Sequence, residues 1–239
     1  MIATAEIKPP RLGELLRGER ESLLSWIQRP SVRHLLGCVS IIVVGAGLYG
    51  AAMGCWRAPL QAGFVAIKFP LIILLTTVGN GLLNAMLAPL LGLNLGLRQS
   101  LVAVLLSFTV FSAILGAFSP IIGFVIWNAP PLVADDWRQA SLVYSGIMLL
   151  HVVAIAFGGI TGNLRMLQML EYFSGQKAVA RRVLFAWLVG NLFVGSQLSW
   201  ILRPFIGSPV LPVEFLRPNA FHGNFYETVF QSFLRILHP

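Results

Sequence analysis

Five long apolar stretches, separated by short polar segments, dominate the pattern of the chain. An α-helix needs about 20 apolar residues to cross about 30 Å of hydrocarbon. The stretches that reach this length cover residues 35–55, 69–92, 101–127, 141–162 and 183–202. The pattern predicts an all-α protein, a polytopic transmembrane helical bundle of five spans. Ser119-Pro120 lies inside the third stretch, so this span either kinks or ends near the proline.

The two termini show a different pattern, in which apolar residues at helical spacing oppose charged ones. The N-terminal arm, residues 1–34, repeats leucine and isoleucine in this way before Pro30 closes the segment. The tail, residues 203–239, begins with a proline- and aromatic-rich connector and ends in a segment whose Glu227, Gln231 and Arg235 share one face. Both termini are therefore predicted to form amphipathic helices at the membrane interface, around the bundle formed by residues 35–202.

Composition excludes a water-soluble globule. Hydrophobic residues make up 56% of the chain and charged residues 11%, whereas a soluble domain carries about a quarter charged residues. All acidic residues fall outside the five stretches. The net charge of +8 comes from cations scattered at the edges of these stretches, without a basic stripe interleaved with aromatic residues. Anionic lipid headgroups are therefore the expected partner of these cations, and nucleic acid is not.

The distribution of lysine and arginine predicts the orientation. Eleven of the 17 cations lie in the N-terminal arm or in the loops after the second and fourth spans, and six lie on the other side. Short loops rich in Lys and Arg stay in the cytoplasm. A multi-pass protein of the cell membrane is predicted, with a cytoplasmic N-terminus and the tail on the opposite side.

Polar side chains inside the spans are the first candidates for a site. Asn80 and Asn84 share one face of the second span with Thr76 near them, and Gln197 lies in the fifth span. These intrabundle polar residues must find partners within the protein. Two readings remain open: hydrogen bonds that join the helices, or a binding or conduction site between them. No carboxylate accompanies them, which argues against ion-coupled transport.

His151 lies in the middle of the fourth span and is the candidate for cofactor binding. It could ligate haem or a metal or shuttle protons, but no second ligand stands at i+3 or i+4, and a neutral histidine bonded to a neighbouring helix is more common. The catalytic motifs of hydrolases, metalloproteases and phosphate-binding loops are missing. One enzymatic alternative is a lipid-acting enzyme that brings His151 together with Asp135 and Asp136.

Several short stretches together resemble an uncharacterised family of bacterial polytopic membrane proteins. They are Lys68-x-Pro70-Leu71, Ser119-Pro120-Ile121, and Trp200 followed by Leu202-Arg203-Pro204-Phe205 and Gly207-Ser208-Pro209. The resemblance extends over most of the chain beyond the N-terminal arm. It implies a bacterial inner-membrane location and no particular activity. These residues also have a physical interpretation apart from the resemblance. Lys68 before Pro70 is typical of a lysine at a helix start whose side chain reaches the membrane interface. Trp200 and Arg203 are expected to lie at the depth of the lipid headgroups.

The sequence therefore favours a non-enzymatic membrane subunit or scaffold that docks to another membrane protein or to its own copies. The expected docking residues are aromatic and basic residues of the tail region: Trp200, Arg203, Phe205, Tyr226, Phe230 and Phe233. The first alternative is a channel or carrier for a small neutral or anionic solute, built on the Asn80 and Asn84 face with His151 as a further candidate. The second is the lipid-acting enzyme.

Overall fold

The computed structural model describes Gly13, Ile27, residues 31–130, residues 137–207 and residues 211–227. Five helices in these ranges are long and apolar enough to cross a membrane, and no strand occurs there. They are α1 (Val32–Gly54), α2 (Pro59–Leu90), α3 (Leu97–Trp127), α4 (Trp137–Ser174) and α5 (Lys177–Ile201). The chain is thus a multi-pass helical membrane protein, which confirms the predicted fold class. Most of the N-terminal arm and of the final tail helix lies outside the described residues.

Local sequence signals explain where the helices begin. The Ser31 hydroxyl accepts a hydrogen bond from the backbone N–H of His34 at 3.3 Å and caps α1. Pro59 occupies the start of α2, where its missing N–H costs nothing. At the start of α3, the side chain of Gln99 accepts from the backbone N–H of Gly96 at 3.1 Å. α1, α2 and α3 therefore each have a start signal in their own sequence.

Several helices extend beyond the apolar stretches that predicted them, among them α5, which begins at Lys177 rather than near residue 183. α2 begins at Pro59 rather than near residue 69 and continues through Pro70, and α4 continues to Ser174. α3 also continues through Pro120 and ends at Trp127, so it does not stop at the proline. α1 contains a π-helical segment, Ile42–Ala46.

Four of the helices form a closed ring. α2 packs on α3, α3 on α4 and α4 on α5, and α5 returns to contact α2. α1 lies outside this ring against α2 and α3. Connectivity places the start of α1 and the loops 91–96 and 175–176 at one end of the bundle, here called the amino end. The loop 55–58 and the tail lie at the other, the tail end.

Small residues allow the helices to approach closely. A Cβ atom added to Gly50 would lie 2.5 Å from the backbone oxygen of Val65 on α2. A Cβ added to Gly162 on α4 would lie 3.0 Å from the backbone oxygen of Ser107 on α3. Both glycines belong to Gly-x-x-x-Gly motifs, which favour close helix contacts. Here these contacts join helices of the same bundle.

Candidate functional site in the helix ring

A cavity of about 470 Å³ lies among α2 to α5 and is partly open to the surroundings of the bundle. This volume falls within the range of about 300–1,000 Å³ found for small-molecule sites. Aromatic rings of Phe69, Phe108 and Phe111 form part of the wall. Neutral hydrogen-bonding side chains form another part: Thr76, Ser107, Asn163, Asn191, Ser196 and Ser199. No ionisable side chain is among the described residues that line it.

Asn80 joins α2 to α5 beside the cavity. Its side chain is fully buried, and its amide nitrogen donates to the side-chain oxygen of Asn191 and to the backbone oxygen of Trp187, the latter at 3.4 Å. A Cβ on Gly190 would come within 2.6 Å of the Asn80 amide oxygen. Glycine is therefore required at position 190 for this approach. Asn80 therefore joins α2 to α5 through hydrogen bonds, and it orients Asn191, which lines the cavity.

Asn84 and Thr76 differ from Asn80, although all three lie on the buried side of α2. Both amide atoms of Asn84 and the hydroxyl of Thr76 are buried, and neither has a hydrogen-bond partner within the described part of the chain. Thr76 lines the cavity and Asn84 does not. Gln197 is half-buried on α5. Of the polar residues predicted for the bundle interior, the structure therefore brings only Thr76 to the cavity and places Asn80 at its edge.

His151 is paired with a tyrosine of α1. The Nδ1 atom of His151 lies 2.8 Å from the hydroxyl oxygen of Tyr49, and both side chains are buried. The two rings meet edge to face, with centroids 5.4 Å apart. Within residues 31–130, 137–207 and 211–227, no group of three or more His, Cys, Asp and Glu gathers to hold a metal ion. Asp135 and Asp136 lie outside these ranges, so the lipid-acting enzyme stays a prediction.

Lys68 is not at a helix start, which corrects the prediction made from Pro70. It lies inside α2, is fully buried, and donates from Nζ to the backbone oxygen of Pro204 at 3.1 Å. The ammonium group also lies 4.9 Å from the centroid of the Phe215 ring, close enough for a cation–π interaction. The tail therefore encloses this lysine because α2 extends towards it, beyond the predicted span.

Gln61, two turns before Lys68, fixes the same part of the tail. Its amide nitrogen donates to the backbone oxygens of Pro204 and Phe205, at 3.0 and 2.8 Å. Gly207 follows with a φ of 89°, and a Cβ there would lie 2.8 Å from the Arg57 side chain. The tail backbone thus lies directly on the loop between α1 and α2. Two buried polar side chains of α2 hold it there.

Trp200 and Arg203 form a second set of contacts between the end of α5 and the tail. The Arg203 guanidinium stacks on the Trp200 ring at 3.6 Å and donates to the backbone oxygen of Asn219 at 3.3 Å. Trp200 donates from its indole nitrogen to the backbone oxygen of His222 at 3.4 Å. Burial lowers the pKa of Arg203, and the nearby cation of Arg217 lowers it further. Both side chains thus hold the tail in place.

The last described segment of the tail reaches the cavity. Tyr226 is hydrogen-bonded through its hydroxyl to the hydroxyl of Ser196 at 2.7 Å, and its ring stacks on Phe193 with centroids 5.6 Å apart. Its neighbour Phe225 lines the cavity together with Ser196. Residues 224–227 therefore cover part of the cavity at the tail end.

The described residues that were expected to dock another protein thus contact other parts of their own chain. Trp200, Arg203 and Tyr226 bond to the bundle or the tail, and Phe205 packs among the apolar residues around Tyr49. Phe230 and Phe233 lie outside the described residues. Contacts with the chain itself and docking to another protein are not exclusive, so the docking role stays a prediction.

Sequence reasoning missed Tyr49, Gln61 and Asn191. Tyr49 lies 102 positions from its partner His151, and Gln61 lies 143 positions from Pro204. Such contacts depend on how the helices pack, and a periodic pattern does not report them. Asn191 carried a usable signal, because an amide inside an apolar span must find a partner. That requirement does not identify the partner, which in the structure is Asn80.

No protein-family model matches the chain, and neither does any of the curated proteins or solved structures compared with it. The resemblance to a family of bacterial membrane proteins therefore stays a prediction that depends on the stretches quoted above.

Proposed function

We propose that the chain binds a neutral, largely apolar small molecule within the bilayer, as a membrane carrier does. The observation that carries this proposal is the cavity inside the ring of α2 to α5. Its wall combines aromatic rings with a few hydroxyl and amide groups, the composition typical of a small-molecule site. The ligand class is an apolar body with one or two hydrogen-bonding groups.

Charge decides between a neutral and an anionic ligand. Moving an ion into a site of low dielectric constant is costly unless an opposite charge meets it. The cavity wall has no ionisable group among the described residues, and Lys68, the buried cation of α2, is not part of that wall. Binding of an anion in the cavity therefore lacks a counter-charge, and a neutral ligand is favoured.

The proposal includes the orientation in the membrane. The amino end carries most of the described cations: Arg33, Arg98, Arg165, Lys177, Arg181 and Arg182. This distribution favours an amino end in the cytoplasm of a bacterial cell and a tail end on the opposite side. Labelling single cysteines at positions 94 and 216 with a membrane-impermeant thiol reagent, in a chain without Cys38 and Cys55, tests this: in intact cells only position 216 should react.

A search for the bound molecule tests the function. The protein would be purified in mild detergent from its own membrane, and small neutral molecules extracted from it would be identified by mass spectrometry. Gly159 lines the cavity, and a Cβ there would meet no atom within 4 Å. The variant Gly159→Leu should therefore occupy part of the cavity and deplete the bound molecule.

Gly63→Leu provides the matched control. Gly63 lies on the exposed face of α2, and a Cβ there also meets no atom within 4 Å. The same added side chain on the lipid-facing surface should leave the bound molecule in place. Equal amounts of every extracted molecule in both variants and in the unaltered protein would contradict the proposal.

A scaffold role is the second candidate, and the exposure of α4 and α5 favours it. In the most apolar segment of α4, 22% of the residues are buried inside the bundle, and in that of α5, 17% are. The corresponding share is 39–44% for α1, α2 and α3. Docking of another membrane protein, or of a second copy, would cover this surface. Cross-linking in native membranes at Val153 and Val189, which are exposed and do not line the cavity, tests it. Cross-links to lipid alone at both positions, with the protein running as a monomer, would contradict it.

A further inference from the structure

One hydroxyl on the cavity wall lacks the bond that other hydroxyls of these helices make. Those of Thr77, Thr109 and Ser196 each donate to the backbone oxygen four residues earlier. The Thr76 side chain is buried, and its Oγ1 atom has no hydrogen-bond partner within the described part of the chain. Among the described residues that line the cavity, Thr76 is the one with such an unmet buried atom. Because a buried hydroxyl without a partner is costly, this group indicates a partner from outside the chain.

Asn191 brings a second free group to the same wall. The amide nitrogen of Asn80 donates to the backbone oxygen of Trp187 and to the side-chain oxygen of Asn191, which fixes the orientation of the Asn191 amide. The oxygen of Asn191 therefore faces Asn80, and its nitrogen keeps two N–H donors. Asn191 is half-buried and lines the cavity. It therefore offers hydrogen-bond donors to whatever occupies the cavity.

The two groups follow one another along the contact between α2 and α5. Gly195 of α5 stands opposite Thr76, since a Cβ there would lie 3.9 Å from the Thr76 Oγ1 atom. Asn191 lies four residues before Gly195, which corresponds to about 6 Å along the helix axis. An oxygen atom midway is about 3 Å from each group, within hydrogen-bond reach of both. Gly195 also lines the cavity, and without a side chain it leaves this space open.

We infer that the bound molecule carries a carbonyl oxygen that accepts hydrogen bonds from Asn191 and Thr76. This inference rests on the proposed function and names the chemical class of its ligand. A carbonyl oxygen has two lone pairs and can accept from both groups at once, whereas a methylene group leaves both unmet. Threonine has two accessible rotamers in a helix, so its hydroxyl can turn towards the cavity that Thr76 lines. The ligand is thus a neutral, mainly apolar ketone, ester or related carbonyl compound.

Competition between two matched probes tests the inference. The full-length protein, depleted of bound molecules and placed in lipid nanodiscs, would be photolabelled with benzophenone, and the labelled residues mapped by mass spectrometry. Fluorenone and fluorene share one ring system and differ by a carbonyl against a methylene group, and each would compete for labelling of the cavity wall. The unaltered protein should prefer fluorenone.

Thr76→Val keeps the shape of the side chain and removes the hydroxyl. It should lower the preference for fluorenone over fluorene about fivefold, the effect of one hydrogen bond. Because the preference is compared between variants, the different partitioning of the two probes into lipid cancels. The hydroxyl has no partner among the described residues, so this variant should also fold with undiminished stability.

Thr77→Val provides the matched control. The neighbouring hydroxyl donates to the backbone oxygen of Ile73, and Thr77 does not line the cavity, so the preference should be retained. Equal displacement by both probes in the unaltered protein, an unchanged preference in Thr76→Val, or an equal fall in Thr77→Val would each overturn the carbonyl assignment and leave binding in the cavity standing. Absence of labelling on the cavity wall, or labelling that neither probe displaces, would contradict the proposed function as well.

Discussion

Asn80 and Asn84 look equivalent in the sequence, but the structure predicts opposite effects when each is replaced by leucine. Both lie on α2 and both are fully buried. Asn80 donates to Asn191 and to the backbone oxygen of Trp187, whereas neither amide atom of Asn84 has a partner among the described residues. Leucine has the same number of side-chain heavy atoms and the same branching as asparagine, and it lacks the polar atoms. The two replacements therefore isolate the energy of the hydrogen bonds.

The expected magnitudes follow from these contacts. A hydrogen bond between membrane helices contributes about 0.6 kcal/mol on average and up to about 1.7 kcal/mol. Asn80→Leu removes such bonds and leaves the Asn191 oxygen without its donor, but it also removes the buried and unpartnered amide oxygen of Asn80. The net loss of stability should therefore be about 1 kcal/mol. A buried polar group without a partner costs about 1–3 kcal/mol. Asn84→Leu removes that cost and should stabilise the protein by about 1 kcal/mol or more.

The assay is reversible unfolding in mixed lipid–detergent micelles, titrated with sodium dodecyl sulfate and followed by circular dichroism. The free energies of unfolding of the two variants should differ by at least about 2 kcal/mol, with the unaltered protein between them. Equal losses in both variants would refute the reasoning, because they would mean that Asn84 also joins two helices. Stabilisation by Asn80→Leu would refute it as well.

Three further predictions concern the packing around the ring. Lys68→Met removes the ammonium bond to the tail, so limited proteolysis should cut residues 211–227 several times faster than in the unaltered protein, and an unchanged rate would contradict the fastening role. Gly45→Val should destabilise the bundle by about 1–3 kcal/mol, because a Cβ there would lie 2.3 Å from the backbone oxygen of Ser112; a neutral effect in the same unfolding assay would show that α1 can move away. Tyr49→Phe removes the bond to His151 and should cost about 1 kcal/mol, with retention of full stability as the contradicting result.

The sequence was sufficient to predict the number of helices that span the membrane. Apolar length alone marks a span, and each of the five stretches lies within one of the five helices or within a few residues of its ends. The start of α2 was missed for a physical reason. Gln61 and Lys68 make residues 59–68 look like a polar loop, but the tail buries both side chains and lets the helix begin at Pro59.

The cavity itself was beyond prediction from the pattern. Thr76 and the Asn80 side of α2 were recognised as polar, but Ser107, Asn163 and Asn191 come from three other helices, and only the ring brings them together. The sequence pattern also does not distinguish Asn80 from Asn84, because periodicity indicates the face of a helix and not the partner opposite each residue. The pairing of Asn80 with Asn191 depends on the contact between α2 and α5 that closes the ring.

The central claim is that the ring of α2 to α5 holds a small neutral molecule. Electron cryo-microscopy of the protein purified from its own membrane, with an antibody fragment added for size, tests it most directly. We predict a compact non-protein density between Phe69, Phe108 and Asn191. Side chains that fill this space, or an acyl chain that enters it continuously from the bilayer, would contradict the claim.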